Sequence, residues 1–368
     1  MNQDKLHQVA LSLIPKIGPS LSRQLINHFS TPQQVFSATK GKLSKVPGVG
    51  SKLSALIPNQ KELLVKAEKI IEDSIKKGIS IHYYKEAHYP KRLMNISDAP
   101  ILLYSMGKVD LNPHRTIGIV GTRRATKYGL QITEDIVAQI KPQEATIISG
   151  LAYGIDVKAH DSALKQQLPT IGAMACGLDK IYPSGNRNTA LKMLENGGLI
   201  SEYPIGTEAD PRLFPARNRV IAGMSDALIV VEAAKKGGAL ISANIADSYD
   251  VPVFAVPGEI GNTYSEGCNL LIRNMKAAIF TSFQDVVEAL NWDVQESTQA
   301  KNPELKYKDL QGDEKIIVEV LLKNGQQMHI DKLSWQSQLN MSTLASLLLQ
   351  MEFAGYIKPL PGKEFRLV

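Results

Sequence analysis

The chain has little cysteine, no long apolar run and none of the common catalytic signatures. Two cysteines, Cys176 and Cys268, in 368 residues cannot build a disulfide framework or a zinc cluster alone, and they suit a cytoplasmic setting. No stretch of about 18 uncharged apolar residues occurs, so no membrane-spanning helix is expected. The first twenty residues, MNQDKLHQVALSLIPKIGPS, lack an apolar segment followed by a small-residue cleavage site, and no signal peptide is expected. A Walker A loop, a His-Glu-x-x-His zinc motif and a nucleophile–His–acid set are also missing, so no cofactor, metal or covalent chemistry is anticipated. What is present is ordinary for globular protein: 43% apolar and 21% charged residues, which excludes disordered, collagen-like and low-complexity classes. The length exceeds one compact core, so two or three domains are expected.

Lys and Arg total 42 against 36 Asp and Glu, a formal +6. The excess is local. Residues 1–100 hold 15 basic and 7 acidic side chains, residues 101–290 hold 18 and 19, and residues 291–368 hold 9 and 10. A basic leading module suits a polyanion such as nucleic acid, and equally a solvated lysine-rich surface. The near-neutral middle can bind phosphate only if its cations gather in space.

Four regions follow along the chain. Residues 1–78 read as short helices. Ile17-Gly18-Pro19-Ser20 and Val46-Pro47-Gly48-Val49-Gly50-Ser51-Lys52 are Gly/Pro turns 32 residues apart, each leading into a helical stretch with Ser20 or Ser51 as a plausible N-cap. They resemble paired helix-hairpin-helix units, whose glycines let backbone N–H groups approach a phosphate. Pro19 removes one such donor from the first copy. KELLVKAEKIIEDSIKKG (61–78) is an amphipathic connecting helix ended by Gly78, and ISIHYY then begins a strand. In residues 79–290 strand, glycine loop and helix repeat. The strands TIGIVG (116–121), TIIS (146–149), TIGAMA (170–175), LIS (199–201), ALIVVE (227–232), VPVFAV (251–256) and AAIF (277–280) are nearly continuous in apolar character. That pattern predicts a parallel sheet covered on both faces, a doubly wound α/β Rossmann-like domain. Residues 291–310 read as a polar linker. Residues 311–368 read as three helices and a β-hairpin, a winged-helix pattern. The helix of that unit that would enter DNA, Met341–Ala354, has no Lys or Arg. A protein-binding role therefore suits it better than reading DNA.

In a doubly wound sheet ligands sit beyond the carboxyl ends of the strands, so those loops carry the functional reading. Gly121-Thr122-Arg123-Arg124-Ala125-Thr126-Lys127 follows the first parallel strand. The Gly118/Gly121 spacing does not fit a dinucleotide fingerprint. Three cations at a helix start, with no acid close by in the sequence, are each disfavoured by about a few tenths of a kcal/mol through the helix dipole. A bound anion would reverse that cost. Ser149-Gly150-Leu151-Ala152-Tyr153-Gly154-Ile155-Asp156 suits either close backbone approach to a ligand or a tight turn with a cap. His160 reads as structural. The polar loop from Gly177 to Asn188, containing Asn186, can line a cleft. Phe214-Pro215-Ala216-Arg217-Asn218-Arg219 places two more cations at a helix start. Phe214 suits both a hydrophobic staple and a platform on which a base stacks. Lys235-Lys236-Gly237-Gly238 is the third basic helix start. Three on one sheet edge favour a polynucleotide over a mononucleotide.

These residues together resemble the DprA/Smf family of DNA-processing proteins. The resemblance is carried by Tyr89-Pro90, Leu93, Ile96, Asp98, Pro100, Leu103-Tyr104 and Gly107, by Gly121-Thr122-Arg123, and by Ser149-Gly150, Gly154-Ile155-Asp156 and His160. It continues through Tyr182-Pro183, Asn186, Phe214-Pro215, Arg217-Asn218-Arg219 and Pro257-Gly258. The resemblance implies an extended Rossmann core that binds single-stranded DNA, forms a homodimer and loads the RecA recombinase during natural transformation. It places the DNA-binding arginine at Arg123 and the stacking ring at Phe214. The binding set expected here is Gly121, Thr122, Arg123, Arg124, Lys127, Gly150, Gly154, Asn186, Phe214, Arg217, Asn218, Arg219 and Lys236. Two other readings compete. Rossmann-like nucleoside-monophosphate phosphoribohydrolases carry Pro-Gly-Gly-x-Gly-Thr-x-x-Glu, but the stretch here ends in Asn244, and an amide cannot act as a general base. A winged-helix regulator of duplex DNA is opposed by the absence of basic residues from the Met341–Ala354 helix.

Overall fold

The computed structural model describes residues 3–57, 61–292, 307, 310–325, 327–360 and 362–367. They form two compact units, Met1–Asn291 and Trp292–Val368. The expected linker, 291–310, lies mostly outside the described residues.

The first unit is built on nine strands: β1 Ser80–Tyr83, β2 Leu102–Gly107, β3 Thr116–Val120, β4 Thr146–Ser149, β5 Thr170–Met174, β6 Gly197–Ser201, β7 Ala227–Val230, β8 Val253–Ala255 and β9 Ala278–Ile279. Their order is β1-β2-β6-β5-β4-β3-β7-β8-β9. Strands β3 to β9 are all parallel and match the seven apolar runs read from the sequence. Every residue of β3 to β8 is buried, which is why their apolar character is continuous rather than alternating. The sheet is mixed, however, not wholly parallel. β1 and β2 pair with each other and β2 with β6, all antiparallel. β2 was not expected from the sequence. The chain leaves β3 outward to β4, β5 and β6, then returns across β3 to β7. This reversal between β3 and β7 opens the crevice where ligands of doubly wound sheets bind.

The N-terminal helices are Gln3–Ser12, Pro19–Phe29, Pro32–Ser37, Lys40–Leu43 and Ser51–Leu56, followed by the long helix Lys61–Lys76. Their core residues Leu11, Leu25, Ile26 and Ile71 share one apolar cluster with Leu102, Tyr104, Met174 and Leu199 of the sheet. Gly18 and Gly50, not Ser20 and Ser51, stand at the N-cap positions, in extended conformation and without side-chain caps. The helix after the first hairpin is anchored to residues 96–97: Ser20 donates to the Ser97 carbonyl at 3.5 Å and Arg23 to that of Ile96 at 3.0 Å.

The second unit holds helices Gly312–Lys323, Ile330–Ser337 and Met341–Phe353 with strands β10 Gln327–His329, β11 Ile357–Leu360 and β12 Glu364–Leu367. The sheet order is β10-β12-β11, and β10 adds a third strand to the expected hairpin. Ile317, Leu321, Leu333, Leu344 and Leu348 form its core.

His160 is fully buried, and its Nδ1 pairs with Thr170 Oγ1 at 2.7 Å. Burial, helped by the nearby Arg217 charge, pushes its pKa down to about 3. The unfolded chain therefore protonates first, so the contribution of this group is complete above about pH 6.5 and is lost as pH falls toward 3. Urea unfolding between pH 7 and 4.5 should show His160→Gln with a shallower stability loss than the parent, by up to about 1.4 kcal/mol per pH unit. Equal slopes would refute the assignment.

Candidate nucleic-acid interface

The crevice between β3 and β7 is a cleft of about 490 Å³. Gly121, Thr122, Arg123, Arg124, Ala152, Phe214, Arg217, Asn218, Lys236, Gly237, Gly238 and Tyr264 are among its walls. A narrow slot of about 40 Å³ adjoins it, formed by Arg123, Gly150, Tyr153, Cys176, Tyr182, Phe214 and Arg217. The loop after β3, the start of the Phe214–Gly223 helix and the start of the Gly238–Ser248 helix therefore meet at one place, as the three basic helix starts require.

The cations separate into two groups. Arg123, Arg124, Lys127 and Lys236 are exposed. Arg217 and Arg219, expected to face DNA, are buried at 6% and 8% exposure. Arg217 lies under the carboxyl edge of the sheet and donates Nη1 to the carbonyls of Gly150 and, at 2.8 Å, Ala173. Its Nε donates to Asn218 Oδ1 at 3.0 Å. Burial pulls its pKa down, and the neighbouring Asp156 carboxylate opposes this. Burial likewise raises the pKa of Asp156, against Arg217 and the backbone N–H groups of Ala152, Gly150 and Gly121 that hold the charged form. Arg219 turns to the opposite side of its helix, where its Nη2 donates to Glu202 and its Nη1 lies 3.9 Å from Asp98. The sequence showed two arginines near a helix start. It did not show that acids distant in the chain, Asp156 and Glu202, would claim them.

A similar correction applies to the helix Lys127–Ile140. No acid neighbours its start in sequence, yet Glu232, just past β7, is buried against it. The Thr126 backbone N–H and hydroxyl donate to its carboxylate at 2.9 and 2.5 Å. This N-terminus is thus satisfied internally by an acid, and Arg123 and Arg124 project from the loop before it. The start of the Gly238–Ser248 helix differs: its cap is Gly237 with no side-chain bond, and its first turn holds no acid. It opens on the cleft beside exposed Lys236.

The Phe214 ring is the centre of the slot. The Arg123 guanidinium carbon lies 5.0 Å from its centroid, that of Arg217 5.7 Å, and the Tyr182 ring 5.9 Å at a tilt of 35°. Phe214 is half-buried, and Tyr153 and Tyr182 are about half exposed. These two tyrosines were not in the expected set; their signal was position, one between Gly150 and Gly154 and the other beside Pro183. Gly154, at φ +77, lets the next helix press on the Arg123 loop, because a Cβ there would strike the Thr122 carbonyl oxygen. Asn186 is buried and donates to the Leu151 carbonyl at 2.8 Å. Lys127, Gly154, Asn186 and Arg219 line neither cavity.

A mostly parallel Rossmann-like sheet with a basic, ring-lined cleft, preceded along the chain by tandem helix-hairpin-helix units and followed by a winged helix, is the make-up of a DNA-processing protein of the recombination-mediator class. Residues 80–291 match the family described as DNA recombination-mediator protein A, residues 301–363 the DprA winged helix domain, and residues 9–57 a SAM-like helix-hairpin-helix tandem. The chain belongs to the DprA/Smf family. It is 35% identical to Protein Smf of Synechocystis over 77% of this chain and 72% of that protein, and 34% identical to DNA processing protein DprA of Bacillus subtilis over 77% and 96%. The X-ray structure of DprA from Streptococcus pneumoniae superposes with a TM-score of 0.64 at 28% identity, covering 77% of this chain and 97% of that one. DNA processing protein A from Helicobacter pylori, described by its unique single-stranded DNA binding mode, superposes with a TM-score of 0.53 at 31% identity, covering 58% and 96%.

The two groups of arginines should respond oppositely to truncation. Arg217→Ala strands Asp156 in the interior and is expected to cost about 3–5 kcal/mol of stability. Arg123→Ala should stay within about 0.5 kcal/mol of the parent. Chemical denaturation of both variants checks this, and equal losses would contradict the division.

Proposed function

We propose that this chain binds and protects single-stranded DNA without regard to sequence, and presents it to the RecA recombinase as a cytoplasmic homodimer. The observation that carries the reading is the exposed Arg123 lying on the Phe214 ring at the edge of a basic cleft. An exposed cation–π contact is worth about 0.5–1 kcal/mol, whereas a base stacked on an aromatic ring contributes about 1–3 kcal/mol. A charge-assisted bond from Arg123 to phosphate adds to that. A strand in the cleft therefore outcompetes the resting contact: the phosphate draws the guanidinium off the ring, and a base takes its place on Phe214, flanked by Tyr182 and Tyr153. Arg124, Lys236 and the uncapped start of the Gly238–Ser248 helix receive neighbouring phosphates. None of these groups reads a base edge, which makes the binding tolerant of sequence. The recombination-mediator description of the matching family and the single-strand binding described for the Helicobacter pylori relative support both halves of the proposal.

The reading is non-enzymatic. Asn244, where a phosphoribohydrolase carries its glutamate, has its amide engaged by the Leu240 carbonyl at 2.9 Å and by Lys276 at 2.8 Å. Burial raises the Cys176 thiol to about 11, which disfavours a nucleophilic thiolate. The recognition-type helix of the second unit exposes Met341, Leu349 and Phe353, which suits a protein partner better than a duplex.

Fluorescence anisotropy with oligothymidylate should show affinity falling with salt at a log–log slope near −0.7 per phosphate neutralised. Arg123→Ala should abolish most binding while the fold survives; a folded variant that binds normally would reject the site. Phe214→Ala should cost about 1–3 kcal/mol in affinity, whereas lost thermal stability with intact binding would mark the ring as a staple only. Removal of residues 305–368 should leave single-strand binding in place. Release of free base from nucleoside monophosphates would favour the enzyme reading instead.

A further inference from the structure

On the same sheet edge lies a second cleft, of about 730 Å³. One wall is the helix Lys61–Lys76 and its end, presenting Lys66, Lys69, Lys76 and Lys77; the other is formed by Asp179 and the loop 204–207. The four lysines fall at i, i+3, i+10 and i+11, one face of a 3.6-residue helix. Glu62 and Asp73 are on that face, while Glu68 and Glu72 lie beyond it by the same periodicity. Four lysines against two acids leave this face with a positive excess. All four lysines are exposed. Lys76 is held loosely by Glu72 at 3.9 Å and Asp73 at 3.7 Å. Lys66, Lys69 and Lys77 have no acid within ion-pair distance among the described residues. Asp179, the acid on the facing wall, is engaged by the Gly206 backbone N–H at 2.9 Å.

This cleft shares no wall residue with the Phe214 slot, but the same two loops border both. Cys176, Tyr182 and Ala209 bound the slot, and they belong to the same two loops whose other parts, Asp179 and 204–207, bound the lysine cleft. The loops are tied together by Gly177 N–H to the Thr207 carbonyl at 3.0 Å and by the Lys180–Glu208 ion pair. We infer that the lysine face of the Lys61–Lys76 helix is a second phosphate-binding segment, over which a single strand leaving the Phe214 slot continues. No aromatic ring lines this cleft, so it tracks the backbone by charge and adds length rather than base recognition. It gives the basic N-terminal module a part in binding separate from its hairpins.

The inference rests on the single-strand reading of the Phe214 slot, and the test separates the two. The full chain, Arg123→Ala and the quadruple variant K66Q/K69Q/K76Q/K77Q are titrated with oligothymidylates of about 6 and about 16 nucleotides, lengths within the usual range of single-strand sites, at several salt concentrations. The quadruple variant should bind the short oligonucleotide as the parent does. On the long one its salt slope should shrink by about 0.7 for each phosphate that is no longer neutralised. Arg123→Ala should lose both oligonucleotides. In parallel, 4-thiothymidine placed at successive positions of the long oligonucleotide should crosslink to residues 61–78 from positions several nucleotides removed from those that reach Phe214. A quadruple variant with unchanged long-strand affinity and slope, or no crosslink to that helix from any position, overturns the inference and leaves the slot standing. A parent chain that binds neither oligonucleotide removes the slot reading and the inference with it.

Discussion

The buried guanidinium of Arg217, with the Asp156 carboxylate as its charge neighbour beneath the carboxyl edge of the sheet, holds this end of the molecule together. The guanidinium ties the carbonyls beyond β4 and at β5 to the Phe214–Gly223 helix. The Asp156 carboxylate is buried beside it, its charged form favoured by the guanidinium and by the backbone N–H groups of Ala152, Gly150 and Gly121. Three loops that end different strands are thereby fixed to one another, and both partners of the exposed contact, Phe214 and Arg123, are carried on segments that this pair immobilises. Opposite charges buried side by side are weak evidence for stability by themselves, because desolvation consumes much of the Coulombic gain. What they supply here is geometry: a charged hub that accepts only one arrangement of the loops around it. Gly150 shows how tight that arrangement is, since a Cβ at that position would collide with the guanidinium of Arg217.

The parts of the fold that were legible in the sequence were those in which one physical effect dominated. Seven parallel strands could be read because each is buried on both faces, leaving an uninterrupted apolar run between glycine loops. β2 escaped because its residues Leu102–Tyr104 follow the Pro100 turn without a helix of crossover length, and the antiparallel edge it forms has no local mark. The loops of the site were legible because ligands of this architecture gather where the strand order reverses, a rule of topology. Which arginine in a loop faces water was not legible. That depended on Asp156 and Glu202, acids that the fold brings beside Arg217 and Arg219 from far along the chain. Tyr153 and Tyr182 could be seen in their loops but were given no binding role, because an isolated tyrosine has no periodicity, and only the slot reveals that three rings share one opening.

The same point resolves how a region with 18 basic and 19 acidic side chains offers a basic surface. Acids and bases in residues 101–290 nearly cancel when counted, but they do not cancel in space. Glu232 is buried against Thr126 at the start of the Lys127–Ile140 helix, Asp156 is buried beside Arg217, and Glu202 is paired with Arg219. Each of these acids has been withdrawn from the surface. Arg123, Arg124 and Lys236 remain in water around the cleft with no acid among its exposed walls. The field at the cleft is set by those exposed cations, focused by a concave wall, and not by the sum over the domain. Net charge is therefore a poor guide to polyanion binding in a folded unit whose acids serve as internal ligands, and the useful count is of exposed cations left without a partner along one edge of the sheet.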